Sequence, residues 1–76
     1  MYAEVEKWLQ TSKANEEICY YKGYLAKDRF RNIDLRDMAN LMLRSAYNKT
    51  VVLYQKRVEY GNSLHDPIFK YMARKI

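Results

Sequence analysis

Apolar and polar positions alternate along this chain with a rhythm that shifts from a helical period to a period of two and back. Val5, Trp8, Leu9 and Ser12 fall at i, i+3, i+4 and i+7, which predicts one face of an amphipathic helix over residues 3–13. Glu4 and Glu6 stand in its first turn and Lys13 near its end, as the helix dipole favours, and Ala14-Asn15 closes it. Ile18-Cys19-Tyr20-Tyr21 is a β-branched and aromatic run, read as a short strand ended by Lys22-Gly23. Residues 24–30 form a short helix with Leu25 and Phe30 turned inward, and Arg31-Asn32-Ile33 is a break. Asp34 is expected to cap the next helix, with Asp37 three residues on. Leu35, Met38, Ala39, Met42 and Ala46 keep helical spacing to about Tyr47, and Asn48 is the expected stop.

From Thr50 the period becomes two. Val51, Leu53 and Gln55 alternate with Val52, Tyr54 and Lys56, then residues 61–67 are turn-forming. Phe69, Tyr71 and Ala73 alternate with Lys70, Met72 and Arg74 in a last strand. Antiparallel pairing of the two final strands satisfies both backbones most simply, and the strand at 18–21 is expected to join them. The predicted class is α+β, one small domain ordered helix–strand–helix–helix–strand–strand. Its expected core is Val5, Trp8, Leu9, Leu25, Leu35, Met38, Ala39, Met42, Val51, Leu53, Phe69 and Tyr71.

Seventy-six residues suit one domain near the lower size limit for a self-sufficient core. Eight tyrosines, two phenylalanines and a tryptophan supply bulk, each able to bury roughly 150–250 Å². No apolar run approaches the roughly 20 residues that span a bilayer, and the first residues lack the pattern of a signal peptide. With Cys19 as the only cysteine, no internal disulfide forms, so a reducing cytoplasmic setting and a core thiol are expected.

Charge changes the picture more. Residues 1–21 hold two lysines against four glutamates, a net of −2, whereas residues 22–76 hold twelve Lys/Arg against five Asp/Glu, a net of +7. An anionic partner is implied for the second part. Opposite the buried stripe of the long helix, Arg36, Asn40, Arg44 and Tyr47 lie on adjoining turns. Arg pairs bidentately with guanine and Asn with adenine, so this face suits a major groove; it also suits plain solvation. Lys27, Arg29 and Arg31 on the short helix and its turn, Lys49 before the hairpin, and Lys56 and Arg57 within it are candidates for phosphate contacts, which position a protein without reading sequence.

Catalytic chemistry finds little. His65 is the sole histidine, in a polar loop, and one cysteine with one histidine makes no structural zinc site. No glycine-rich phosphate loop is present. The expectation is a non-enzyme with no cofactor and no metal.

The element order, from residue 3 to the last strand, resembles that of a winged helix-turn-helix domain. The tail, with Val51, Leu53, Gln55, Lys56 and Arg57 followed by Phe69, Tyr71, Ala73 and Lys75, looks like small bacteriophage-encoded members. That resemblance implies a helix-turn-helix at about 24–47, a hairpin and wing at about 50–75, and a double-stranded DNA partner read by the third helix. A cytoplasmic regulator of transcription follows, in the host cell if viral, with no membrane partner and with dimerisation through the glutamate-rich first helix. The turn before the third helix lacks the glycine many such units carry. The wing over residues 59–66 offers Glu59, His65 and Asp66 where a minor-groove wing would offer Arg or Lys. An alternative from the same scaffold is a protein-binding inhibitor that blocks a host protein, favoured by the acidic wing and by Leu43 and Tyr47.

Overall fold

The computed structural model describes residues 2–76. Its elements are α1 (Tyr2–Thr11), β1 (Glu17–Gly23), α2 (Leu25–Asp28), α3 (Ile33–Tyr47), β2 (Val51–Glu59) and β3 (Ile68–Lys75). They form a small α+β domain of three helices and a three-stranded antiparallel sheet. The sheet order is β1-β3-β2, so the last strand of the chain lies in the middle and pairs antiparallel with both neighbours.

The core forms where the helical stripe of α3 meets one face of this sheet. Leu35, Met38, Ala39 and Met42 are buried on α3, with Val5 from α1 and Val51, Phe69 and Ala73 from the strands. Trp8, Leu9, Leu25 and Leu53 pack at its margin only partly covered, and Tyr71 is also half-buried. Ala73, absent from the expected core, stands in one cross-strand row with Ile18 and Leu53 and is fully buried. Strand alternation carries that assignment: neighbours at i±1 point to the opposite face.

The same alternation corrects the thiol. Ile18 and Tyr20 pack on the core, so Cys19 between them faces outward and is exposed. A bulge between Cys19 and Tyr21 then inserts one extra residue opposite β3. Both Tyr20 and Tyr21 thereby come within 6.3 and 6.2 Å of the Tyr71 ring.

Helix α2 is a single turn, far below the length at which a helix holds itself, so tertiary contacts must define it. The Tyr71 hydroxyl accepts from the Leu25 amide at 3.1 Å, and the Tyr21 hydroxyl donates to Asp28 Oδ2 at 2.5 Å. Gly23, at φ 149°, lies against this second bond; a Cβ there would approach Tyr21 Cε2 to 3.0 Å and Asp28 Oδ2 to 3.1 Å. Because the helix stops at Asp28, Phe30 is carried outward and is 85% exposed, contrary to its expected inward position.

The cap of α3 stands two residues before Asp34. Asn32 is the N-cap, with extended backbone and a side chain accepting from the Leu35 amide at 3.0 Å. At the other end Asn48 is the C-cap, and Lys49 takes the left-handed φ of 61°. Lys49 N donates to Ala46 O at 3.0 Å and Thr50 N to Ser45 O at 2.8 Å, a Schellman closure with lysine where glycine is usual. The chain therefore leaves α3 directly into β2.

Candidate nucleic-acid interface

Arg36, Asn40, Arg44 and Tyr47 are all exposed on the side of α3 turned from the core, and Tyr47 is 84% exposed. The structure adds two members that the pattern had assigned to capping. Asp34 and Asp37 share this face, and Arg36 pairs with Asp37 at 3.4 Å. Along Ile33–Tyr47 two arginines thus stand against two aspartates. An open groove of about 810 Å³ runs beside the helix, lined by Tyr2, Asp34, Asp37, Asn40, Leu43, Arg44 and Tyr47.

Arg29 joins the reading face, because its guanidinium donates to Asn40 Oδ1 at 3.1 Å. That bond orients the carboxamide and leaves its Nδ2 free to donate. Arg31 stands exposed just before α3 and Lys49 just after it. Between them the fifteen-residue helix is about 22 Å long at its usual rise. A basic residue therefore sits beyond each end of a helix longer than the roughly 12 Å width of a major groove.

The remaining candidates are not gathered there. Lys27 is paired with Asp66 at 2.8 Å, which ties α2 to the loop after β2. Arg57 lies over the rings of Tyr60 and Phe69, at 4.8 and 5.2 Å to their centroids. Lys56, its neighbour in sequence, points to the opposite face of the sheet, away from the helices. Lys75, which was not one of these candidates, turns inward to cap α1, donating from Nζ to Leu9 O at 2.9 Å.

No protein-family model, curated protein or solved structure matches this chain.

The loop over residues 60–67 is a built turn: Asn62 Oδ1 accepts from the amides of Leu64 and His65 at 2.8 and 2.9 Å. Its tip presents Tyr60 and Leu64, 80% and 85% exposed, with His65 in the open as its polar setting implied. Among the described residues no cluster of three or more His, Cys, Asp or Glu side chains is placed to hold a metal, and no helix is long and apolar enough to cross a membrane.

Sequence reading missed a second basic array. Lys22, Lys70 and Lys56 occupy a single cross-strand row, one on each strand, on the outward face of the sheet. By plain alternation Lys22 would share the inward face of Ile18 and Tyr20; the bulge at Cys19/Tyr21 reverses its phase. The neighbouring row is Cys19, Met72 and Tyr54, and the next is Glu17, Arg74 and Val52. Tyr54 donates its hydroxyl to Glu17 Oε1 at 2.6 Å, a bond that raises its pKa, and Lys56 Nζ stands 5.9 Å from its ring centroid. On the inward side, burial pushes the Tyr20 phenol up to about 12; burial and the Asp28 carboxylate take Tyr21 to about 12.

Proposed function

We propose that this protein is a non-enzymatic, double-stranded-DNA-binding regulator of the winged helix-turn-helix kind, with α3 as the helix that enters the major groove. The element order and the β1-β3-β2 sheet, with α2 and α3 joined by a short turn, support this reading. The observation that carries the reading is the line of Arg36, Asn40 and Arg44 on the outward face of α3, with Arg31 and Lys49 beyond its two ends. Guanine O6 and N7 match the arginines, and adenine N6 and N7 match the asparagine. Arg31 and Lys49 meet the phosphates on either side of the groove and fix register. Dimerisation through α1, placing two α3 helices about one helical turn apart, belongs to the same proposal, as does action in the cytoplasm. Sedimentation showing only monomer with and without DNA removes the dimer.

A binding selection from random duplex followed by fluorescence titration tests the reading. Arg36→Ala or Asn40→Ala loses preference for the selected site by roughly ten-fold or more and keeps most of the non-specific affinity. Arg31→Ala or Lys49→Ala weakens every sequence about equally and lowers the salt slope by about one. If all four variants match the wild-type protein on every duplex, α3 does not enter a groove.

A second reading rests on the balanced charge of the α3 face. Leu43 and Tyr47 are exposed beside Asp34, Asp37 and Arg44 around one groove, a mixture that suits a protein partner such as a host protein being inhibited. Loss of a partner complex on Tyr47→Ala, with duplex binding unaltered, would put this reading first.

A further inference from the structure

The outward face of the sheet holds like charges directly across from one another. Lys22 faces Lys70 on β3, and Lys70 faces Lys56 on β2, with all three exposed. Directly opposed like charges on one sheet face are unfavourable. None of the three makes an ion pair among the described residues; Lys56 has only the Tyr54 ring, whose centroid lies 5.9 Å from its Nζ, whereas two rows along the sheet Glu17 stands across from Arg74. Strands about 4.8 Å apart make the row of three lysines about 10 Å long along the backbone. Beside it lies a row of a different kind, Cys19, Met72 and Tyr54, soft and aromatic, with the Tyr54 ring held by Glu17.

We propose that this sheet face is a second nucleic-acid site, separate from α3, that takes single-stranded DNA or RNA. Phosphates along the lysine row relieve the repulsion, and a base beside them stacks on Tyr54. A strand with unpaired bases satisfies both rows at once. A duplex, whose bases are already stacked, offers the lysine row its backbone but leaves the tyrosine without a partner. The site lies on the side of the sheet away from the helix layer, because Ile18, Leu53 and Ala73 occupy the other side. It does not depend on α3 reading DNA.

Fluorescence anisotropy of labelled oligothymidylate and oligouridylate, at several salt concentrations, tests it. The wild-type protein binds both with a log–log salt slope of about 2, three phosphates at the single-strand value. Lys70→Glu places a carboxylate between two lysines and lowers the row's charge from +3 to +1, so its melting temperature rises while affinity falls at least ten-fold and the slope falls to about 0.7. Unfolding cannot be mistaken for that pair of effects. Tyr54→Leu weakens binding about five-fold or more, and Tyr54→Phe retains it. Wild-type affinity in folded Lys70→Glu overturns the proposal. So does loss of binding on Arg36→Ala with Arg44→Ala instead, equal competition by unlabelled duplex, or binding to anionic phospholipid vesicles without binding to either oligonucleotide.

Discussion

The outward face of α3 sets Arg36 and Arg44 among Asp34 and Asp37, while the outward face of the sheet sets Lys22, Lys56 and Lys70 side by side. The first face has balanced charge, directional side chains and an oriented amide in Asn40. The second has uncompensated charge and a single ring. Discrimination between base edges needs the former, because hydrogen-bond geometry differs from site to site. Salt-sensitive attraction to any polyanion needs the latter, because phosphates are alike. A net charge alone would have merged the two. Their separation on opposite sides of one sheet is what makes them distinguishable by mutation.

The largest effect expected lies beneath the α3 face, not on it. Leu35→Ala removes a side chain that is 1% exposed and should cost ~2–5 kcal/mol in chemical denaturation, enough to leave a domain of this size largely unfolded. Asn40→Ala, on the same helix but exposed, should change stability by no more than ~0.5 kcal/mol. Similar losses for the two would mean that the two sides of α3 are not divided as described. Trp8→Ala should fall below the Leu35 value, since Trp8 is only partly covered.

Next come the two backbone positions with positive φ that set the ends of α2 and α3. Gly23→Ala should lose ~1–3 kcal/mol, because its Cβ would press on the Tyr21–Asp28 bond that holds α2. Lys49→Gly should gain ~1 kcal/mol by relieving a left-handed residue with a side chain. Thermal melts of both, with opposite signs, check the account of how α3 is framed. On the sheet side, Lys70→Glu should gain ~0.2–1 kcal/mol, the usual range for a cross-strand charge pair.

The alkaline limb of stability is a finer probe of the packed side of the sheet. Tyr20 and Tyr21 hold their protons to about 12 in the folded chain against 10.0 for a free phenol. The unfolded chain therefore ionises first, so the stability these groups confer is intact below pH 10 and drains away as pH rises from 10 to 12. Tyr20→Phe should flatten that decline, and an unchanged decline would mean the ring is not desolvated beside Tyr71. Tyr54, on the open face, has its pKa raised first by its bond to Glu17 and only secondarily by desolvation.

Much of this layout was legible in the chain. The stripe of Leu35, Met38, Ala39 and Met42 marked both the length of α3 and its buried side, and the shift to period two at Thr50 marked the hairpin. What escaped depends on single-residue irregularities. The bulge at Cys19/Tyr21 leaves alternation intact on either side while reversing Lys22, so the lysine row could not be seen without the pairing register. Asn32 outcompeted Asp34 as cap because it already stands at the extended residue before the first helical turn. Phe30 was assigned inward by spacing, but α2 ends two residues sooner, at Asp28, whose carboxylate accepts from the Tyr21 hydroxyl. On the α3 face, Arg36, Asn40, Arg44 and Tyr47 were placed together from spacing alone, whereas the link from Arg29 to Asn40 is a contact between helices that no local pattern encodes.

One titration bears most directly on the separation of the two faces. Asn40→Ala and Lys70→Glu are each measured against a selected duplex and against oligothymidylate, under the same salt series. Two separate sites give crossed losses. Asn40→Ala forfeits its preference for the selected duplex and binds the single strand as wild type does. Lys70→Glu loses most of its affinity for the single strand and most of its salt dependence, and still distinguishes the selected duplex from a scrambled one. If each variant loses both ligands together, or neither loses either, the two faces are not separate sites.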